Sequence, residues 1–341
     1  MQILLTFDHE LFFGQFSGSP ERCLIEPGRA LSAVAGELSA PLCFFVDAGY
    51  LVALRRLAPS HIALQAHELA VRRSLDELAG QGHELLLHVH PHWEDATWSD
   101  HGRWNFDLAR YALSAFDDSA VTNIVQRYAD ELRPHVSGGR IHAYRAGGWA
   151  VQPFEPIGRG LRAAGIAIDS TVFAGGSDAS GAGRYDFSDA PAKCMWRFDT
   201  DPAREAPDGA FLEVATSSMR VPPSYYWRQA MSRFGPRANL QPFGDGVVRA
   251  MAVGSNLRDK LTKLMSATRY CVTLDGQKAG LALPEYLRAR RRGVELLVLL
   301  SHPKMMTPTS IRHMRALLRA ARQNGDQVVG YQQIAIQAGV A

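Results

Sequence analysis

Five short apolar runs, each followed directly by polar side chains, constrain the fold of this 341-residue chain more than any other feature. Continuous apolar runs separated by helical patterns are typical of parallel strands buried on both faces. The runs lie at residues 3–7, 84–87, 141–144, 165–168 and 296–300, and polar residues begin at Asp8, His88, Arg145, Asp169 and Ser301. Because parallel strands bring their C-terminal ends to one side of a barrel or sheet, we expect these polar side chains to converge.

Helical patterns alternate with the runs over most of the chain. They occur at about residues 27–38, 67–79, 119–132 and 311–318, which is the arrangement of an α/β fold. From about residue 175 to 284 the alternation breaks down into glycine-rich, serine-rich and charged segments. We therefore predict one α/β domain over residues 1–341, a distorted barrel with an insertion at about 175–284 that forms either a substrate wall or a structural elaboration.

Composition excludes several classes of protein. A hydrophobic fraction of 46% and a charged fraction of 21% are those of a globular protein with a full core. The net charge of +3 is too small to indicate a nucleic-acid partner. No apolar run approaches the roughly 20 residues that span a bilayer, and no signal-peptide pattern begins the chain. We expect a cytoplasmic protein with no integral membrane segment, or one peripheral to the inner membrane.

Three alternating histidines, His88, His90 and His92, follow the second apolar run. Imidazole nitrogens are good ligands for Zn²⁺ and similar ions. His88 and His90 lie on one face if the strand continues, whereas His88 and His92 can chelate together if the chain turns after the strand. Pro91 favours an extended conformation at His90, so the turn would have to follow it. The sequence thus predicts a histidine metal site and leaves the pair of ligands open.

Acidic groups for such a site lie after the first run, in the segment Asp8-His9-Glu10. One acidic group can complete a two-histidine metal site, while another removes a proton from water that the ion has made more acidic. The spacing of Asp8 and Glu10 suits this division of roles.

The segment after the third run combines a cation with flexible backbone. Arg145 is followed by Ala146, Gly147, Gly148 and Trp149. A buried arginine can orient a carboxylate and keep its pKa low. The glycines let backbone N–H groups approach a ligand, and the indole can stack on a sugar ring. We therefore predict Gly148 and Trp149 as substrate-binding residues.

Two more run ends supply a carboxylate and an imidazole. Asp169 follows the fourth run, and His302 lies two residues after the fifth. A carboxylate that holds an imidazole prepares it to protonate a leaving amine. We predict that Asp169 and His302 form such an orienting pair.

Taken in order, these segments resemble the five motifs of the polysaccharide deacetylase family, which is also called carbohydrate esterase family 4 or the NodB-homology fold. The resemblance runs from residue 1 to about 335 and leaves the insertion uncovered. The matching segments are residues 6–10, 88–92, 145–149, 169–173 and 300–303. The family resemblance implies a distorted barrel of the (β/α)7 type. It also implies that Asp8 is the catalytic base, that Arg145 orients it, and that His302 is a general acid held by Asp169.

The resemblance further implies one divalent metal ion, with zinc expected, bound by Glu10, His88 and His92. The usual first motif has two adjacent aspartates, whereas His9 stands at the second place here and Glu10 follows. His9 and His90 are therefore alternate ligands. The second motif contains three histidines, of which two are expected to bind the metal ion.

The implied activity is removal of an N-acetyl group from an amino sugar. The third motif has Ala146-Gly147-Gly148 where many members have prolines, which resembles the branch found among surface-polysaccharide and O-antigen biosynthesis enzymes. For a cytoplasmic member, the expected partner is a nucleotide- or lipid-linked N-acetylated sugar precursor or an oligosaccharide. Two alternatives are a metal amidohydrolase that acts on a small non-sugar amide and a catalytically silent glycan-binding protein.

Overall fold

Parallel strands form the centre of the structure, as the apolar runs predict. The computed structural model describes residues 1–13, 16–179, 183–231, 238–247 and 265–340. The strands within these ranges are β1 (Gln2–His9), β2 (Cys43–Asp47), β3 (Glu84–Val89), β4 (Thr97–Trp98), β5 (Trp104–Asn105), β6 (Ala143–Ala146), β7 (Ile168–Asp169), β8 (Ser177–Asp178), β9 (Tyr185–Asp186), β10 (Met195–Phe198), β11 (Phe211–Val214), β12 (Ser218–Val221), β13 (Thr268–Cys271), β14 (Leu296–Ser301) and β15 (Gln327–Val328).

The main sheet has the strand order β10-β11-β7-β6-β3-β2-β1-β14, and β15 pairs with the start of β1. Its pairings are parallel, except that β10 and β11 are antiparallel. Non-consecutive neighbours such as β1 and β14 require crossover connections, which helices supply. The expected α/β fold is therefore confirmed.

The sheet curls into a half-barrel whose open side is bridged by backbone hydrogen bonds. After β11, the Ser217 N–H donates to the Val298 carbonyl of β14 at 3.0 Å. The Val272 N–H donates to the Ser217 carbonyl, and the Leu300 N–H donates to the Val272 carbonyl. Segments outside the regular ladder thus bring the two edges of the sheet together, which is how the predicted barrel is distorted.

The two faces of the strands belong to two different apolar clusters. Alternate residues such as Leu4, Phe45 and Leu86 pack inside the curl. The intervening residues, such as Leu5 and Phe44, pack in a larger cluster with the helices. Because side chains alternate between faces along a strand, every second residue of each strand points into the barrel.

The helices of the described ranges are α1 (Glu26–Gly36), α2 (Ala48–Leu57), α3 (Ile62–Gly80), α4 (Asp118–Leu132), α5 (Glu155–Ala164), α6 (Pro223–Met231), α7 (Ala282–Arg291), α8 (Pro308–Gln323) and α9 (Tyr331–Gln337). Helices α1 to α5 pack in the outer cluster, whereas α9 packs in the interior cluster. In α4, for example, Val121, Ile124 and Val125 lie on the buried face, which is the period of an amphipathic helix. No helix in the described ranges is both long and apolar enough to cross a membrane.

The range 175–284, predicted as an insertion, contributes β10 and β11 to the main sheet. Its other described strands form two small antiparallel sheets, β8 with β9 and β12 with β13. Residues 180–182, 232–237 and 248–264 of this range lie outside the described residues.

Candidate metal centre

The inner face of the curled sheet changes from apolar to polar toward the C-terminal ends of its strands. Leu4 and Leu86 belong to the interior cluster, and the residues that follow them at even spacing share their face. Asp8, Glu10, His88, His90, Arg145 and His302 are delivered to this end, where they line a common cavity of about 190 Å³.

Glu10, His88 and His90 form a group that could hold a metal ion. One ligand atom from each lies within 4.8 Å of the other two. Glu10 Oε2 is 3.2 Å from His88 Nε2 and 2.6 Å from His90 Nε2. His88 Nδ1 lies 2.9 Å from the Arg145 carbonyl oxygen, an acceptor that keeps the proton on Nδ1 and leaves Nε2 free to bind an ion. The donor set of two imidazoles and one carboxylate fits Zn²⁺ or a similar ion.

His92, predicted as a ligand, is not brought to this group. The chain stays extended through His90 and then enters a 3₁₀ helix at Pro91–Asp95, which carries His92 away from Glu10. The His92 ring stacks on Tyr111 at 5.9 Å between centroids and meets the edge of Phe106 at 4.9 Å. The structure therefore favours the alternate ligand His90, because the strand geometry continues one residue beyond β3.

His9 lies on the opposite face of β1 from Asp8 and Glu10. Its ring meets the edge of the Phe44 ring at 5.9 Å. Burial lowers the pKa of His9 to about 4, so the ring is neutral at physiological pH. Strand alternation thus excludes His9 from the Glu10 group, although the sequence left it open as an alternate ligand.

Asp8 forms a buried ion pair with Arg145. Arg145 Nη1 donates to Asp8 Oδ1 at 2.6 Å, and the guanidinium is also held by Thr6 and by Ser170. Burial alone raises the pKa of Asp8, but Arg145, His88 and His302 outweigh it, so the carboxyl pKa lies below its usual value. The predicted contact between Arg145 and a carboxylate is present, and it leaves Asp8 ionised.

His302 is oriented by a residue that the sequence analysis missed. His302 Nδ1 is 2.7 Å from Asp275 Oδ2, and the His302 backbone N–H donates to Asp275 Oδ1 at 2.8 Å. Burial lowers the pKa of His302, but Asp275, with smaller contributions from Asp8 and Glu10, outweighs burial and raises the pKa to about 9. The imidazole is therefore protonated at neutral pH. Its Nε2 lies 3.8 Å from Asp8 Oδ2 and 3.7 Å from Glu10 Oε1.

Asp169 does not form the predicted pair with His302. It follows Ile168, which packs inside the barrel, so alternation turns Asp169 to the outer face. There Asp169 Oδ1 accepts from the Thr171 hydroxyl, whose oxygen accepts in turn from the Ala146 N–H. Burial raises the pKa of Asp169 to about 6 and raises that of its neighbour Glu213 further. This carboxyl pair supports the backbone beside Arg145 and does not reach the cavity.

Gly148 and Trp149, predicted to bind substrate, line the cavity with Phe13 and Tyr111. Gly148 has a φ of 58°, and a Cβ there would collide with the Tyr111 hydroxyl group. The position therefore requires glycine for both its conformation and its close approach. Aromatic rings form much of the wall of the cavity.

Lys304 is a second residue that the sequence analysis missed. It lies two residues after His302, and its ammonium donates to Glu10 Oε1 at 2.9 Å. Burial alone raises the pKa of Glu10, but Lys304 and the histidines His88 and His90 outweigh it and hold this pKa well below its usual value. The lysine could have been noticed from its spacing to His302. Asp275 also had a signal, because it follows the apolar run at residues 271–274.

Comparisons with known proteins add a limited structural similarity. A scan against protein-family models and a search of curated proteins both find no match. Among solved structures, a protein described as a polysaccharide deacetylase from Mycobacterium smegmatis matches with a TM-score of 0.49 and 16% identity, over 98% of this chain and 89% of that one. A peptidoglycan N-acetylglucosamine deacetylase matches with a TM-score of 0.38 and 9% identity, over 96% and 85%. A GH57-type branching enzyme from Pyrococcus horikoshii matches with a TM-score of 0.46 and 9% identity, over 96% and 68%.

Because these scores and identities are low, the similarities assign no activity to the chain. What the fold and the site define is an α/β protein with a candidate two-histidine, one-carboxylate metal centre at the C-terminal end of a curled parallel sheet. Any more particular function has to be argued from the side chains of the cavity.

Proposed function

We propose that this chain is a metal-dependent hydrolase that removes the N-acetyl group from an amino sugar. One observation carries the proposal. A single cavity is lined by a carboxylate paired with arginine, by a Glu-His-His group, and by a histidine paired with a second carboxylate. Amide hydrolysis needs an activated water, a stabilised oxyanion and a proton for the leaving amine, and these three groups can supply them.

Asp8 is the proposed base. Arg145 occupies Asp8 Oδ1, so Oδ2 is the oxygen that remains to accept a proton from water. The arginine fixes the carboxylate in one orientation, which keeps this oxygen aimed into the cavity. Asp8 then holds the transferred proton while the tetrahedral species breaks down.

Glu10, His88 and His90 would hold a divalent ion, which would supply Lewis acidity for the acetamide carbonyl and lower the pKa of water. The backbone beside Gly148 borders the same cavity, and its N–H groups are the proposed protein donors to the developing oxyanion. Trp149 is the proposed stacking surface for the sugar ring.

His302 is the proposed general acid. Its Nδ1–H donates to Asp275, which keeps the ring oriented, and Nε2 carries the proton toward the cavity. With a pKa of about 9, His302 is protonated at neutral pH and can donate to the leaving nitrogen. The products are acetate and a free amino sugar.

The proposed substrate is an N-acetylated sugar in a surface-polysaccharide precursor, linked to a nucleotide or a lipid. Support for this choice comes from the resemblance of the motifs to the polysaccharide deacetylase family and, within it, to the glycan-assembly branch. The aromatic wall formed by Phe13, Tyr111 and Trp149 is suited to a pyranose ring.

Acetate release from N-acetylhexosamine conjugates tests the proposal. The zinc-reconstituted protein should release acetate, and Asp8→Asn should keep its metal while turnover falls by roughly a hundredfold or more, the usual scale for losing a general base. Elemental analysis and acetate assays on the same samples provide both readouts. If reconstitution leaves the protein without metal, the hydrolase proposal fails.

The size of the cavity favours one alternative, a small non-sugar amide as substrate. A volume of about 190 Å³ is below the roughly 300 Å³ at which ordinary small-molecule pockets begin. The same residues would carry out the reaction. Hydrolysis of small N-acetyl amides without any release of acetate from sugar conjugates would select this alternative.

A further inference from the structure

A buried lysine contacts the metal-binding carboxylate. Lys304 follows the end of β14 and is 5% exposed. Its ammonium donates to Glu10 Oε1 at 2.9 Å and to the Leu11 carbonyl at 2.6 Å. The rings of Phe12 and Phe13 lie 4.9 and 4.8 Å from Nζ. The ammonium is thus held by two acceptors and two aromatic faces.

The two oxygens of Glu10 have different partners. Oε1 accepts from Lys304 and lies 3.7 Å from His302 Nε2. Oε2 lies near the Nε2 atoms of His88 and His90. The hydrogen bond from Lys304 competes with an ion for Oε1, so Oε2 is the oxygen that Glu10 presents to an ion shared with the two histidines. The lysine therefore disfavours a second metal contact through Oε1.

Each of the two carboxylates that line the cavity also has a cation as its partner. Arg145 pairs with Asp8, and Lys304 pairs with Glu10. The protonated His302 is itself paired with Asp275 and adds no uncompensated negative charge to the cavity. The two histidine ligands are neutral when they bind a metal, so a divalent ion would enter a site whose negative charges are already matched. In a buried setting, repulsion between the ion and a nearby ammonium is screened far less than in water.

We propose that Lys304 is a positioning residue that holds Glu10 to one metal contact and weakens metal binding through its charge, so that the bound ion keeps more of its Lewis acidity. This inference rests on the proposed metal site. A purely structural lysine would stabilise the site, and its loss would weaken metal binding. If the lysine charge instead repels the ion, loss of the lysine should strengthen metal binding.

Metal affinity separates these two cases. Zn²⁺ binding to the full chain is measured by competition with a chromophoric chelator for the unsubstituted protein, Lys304→Met, Lys304→Gln and Lys304→Arg. Both neutral variants should bind Zn²⁺ about tenfold more tightly or better, because the repulsive charge is gone. Lys304→Arg keeps the charge and should stay within about threefold of the unsubstituted protein. X-ray absorption should show an additional oxygen ligand in Lys304→Met.

Lys193→Met is the matched control. Lys193 is exposed and pairs with Glu205 at 2.6 Å, away from the cavity. Its loss removes one lysine charge and should leave Zn²⁺ affinity unchanged. Melting temperatures of the metal-free variants check that the substitutions have not unfolded the chain.

The outcomes are distinct. Tighter binding in both neutral variants, with unchanged binding in the arginine variant and the control, supports the inference. Equal or weaker binding in both neutral variants overturns it while leaving the metal site intact. If neither the unsubstituted protein nor any of the variants binds Zn²⁺, the proposed function and this inference both fail.

Discussion

Pro91 decides which histidines meet Glu10. The residue before a proline is restricted to extended conformations, and His90 has φ −116° and ψ 102°. The strand alternation therefore continues to His90, which faces the same way as His88. The sequence alone left open whether His88 pairs with His90 or with His92. The extended conformation that Pro91 imposes on His90 is the local feature that favours the pair of His88 and His90.

Paired substitutions test this choice. His90→Ala should weaken Zn²⁺ binding by roughly a hundredfold or more, because it removes one of the three proposed protein ligands. His92→Ala should keep the metal, since the His92 ring packs against Tyr111 and Phe106 and lies outside the Glu10 group. Metal content after equilibrium dialysis gives the readout. Loss of metal only in His92→Ala would restore the ligand set of the sequence analysis.

At the scale of elements, the regular strands were predictable and the irregular ones were not. Strands β1, β3 and β14 match apolar runs, because strands buried on both faces need apolar residues throughout. The last strand and helix of the described residues were harder to predict. The pattern of residues 328–331, which follows Asn324-Gly325, predicts a last strand there, yet β15 ends at Val328 and α9 begins at Tyr331. The Glu84 carboxylate accepts from the Tyr331 and Gln332 N–H groups and caps α9, a distant contact that local sequence does not reveal.

The same reasoning explains why Asp275, and not Asp169, pairs with His302. Asp169 was chosen because it ends a regular strand, but alternation turns it outward, as Ile168 packs inside. Asp275 follows a segment that bridges the sheet edges through Val272, outside any main-sheet ladder. The segment lies in the range where the pattern of elements breaks down, so its apolar run was not read as part of the barrel.

Substitution of the two carboxylates distinguishes their roles. Asp275 raises the pKa of His302, so in Asp275→Asn this pKa should fall, and the alkaline limb of the kcat profile should move to lower pH. Turnover at neutral pH should drop about tenfold or more, part of what a positioned general acid contributes. Asp169→Asn should leave the alkaline limb in place, whatever it does to stability. If the alkaline limb shifted in Asp169→Asn and not in Asp275→Asn, Asp169 would be the carboxylate that sets the pKa of His302.

For the whole molecule, the two ends of the barrel serve different purposes. The C-terminal end holds the polar cavity, whereas α9 packs into the interior from the other end. The Tyr331 side chain extends to Ser170, whose Oγ lies 2.6 Å from the Tyr331 hydroxyl. A cavity of about 640 Å³ beside α1 is lined by Ser32, Gln81 and His83. His83 Nδ1 accepts from the Leu42 N–H at 3.3 Å, so Nε2 carries the proton and donates to Ser32. This hydrogen-bonded arrangement requires a neutral ring.

The neutral His83 predicts a loss of stability in acid. Burial lowers the pKa of His83 from 6.5 to about 4. An unfolded chain therefore binds a proton below pH 6.5 that the folded chain does not, and the free energy of unfolding should fall as the pH drops from about 6.5 to about 4. With a discount for partial exposure to water, this histidine should account for on the order of 2 kcal/mol.

Urea unfolding of the metal-free protein between pH 7 and pH 4 measures this contribution. Carboxylates and other histidines also titrate in this range, so the test is the difference between variants. His83→Asn keeps an acceptor for the Leu42 N–H and removes the titrating ring, and its stability should decline less steeply with falling pH than that of the unsubstituted chain. His101→Asn, which removes an exposed histidine, is the control and should follow the unsubstituted chain. Parallel pH profiles for His83→Asn and the unsubstituted protein would show that His83 takes up its proton equally well in the folded chain.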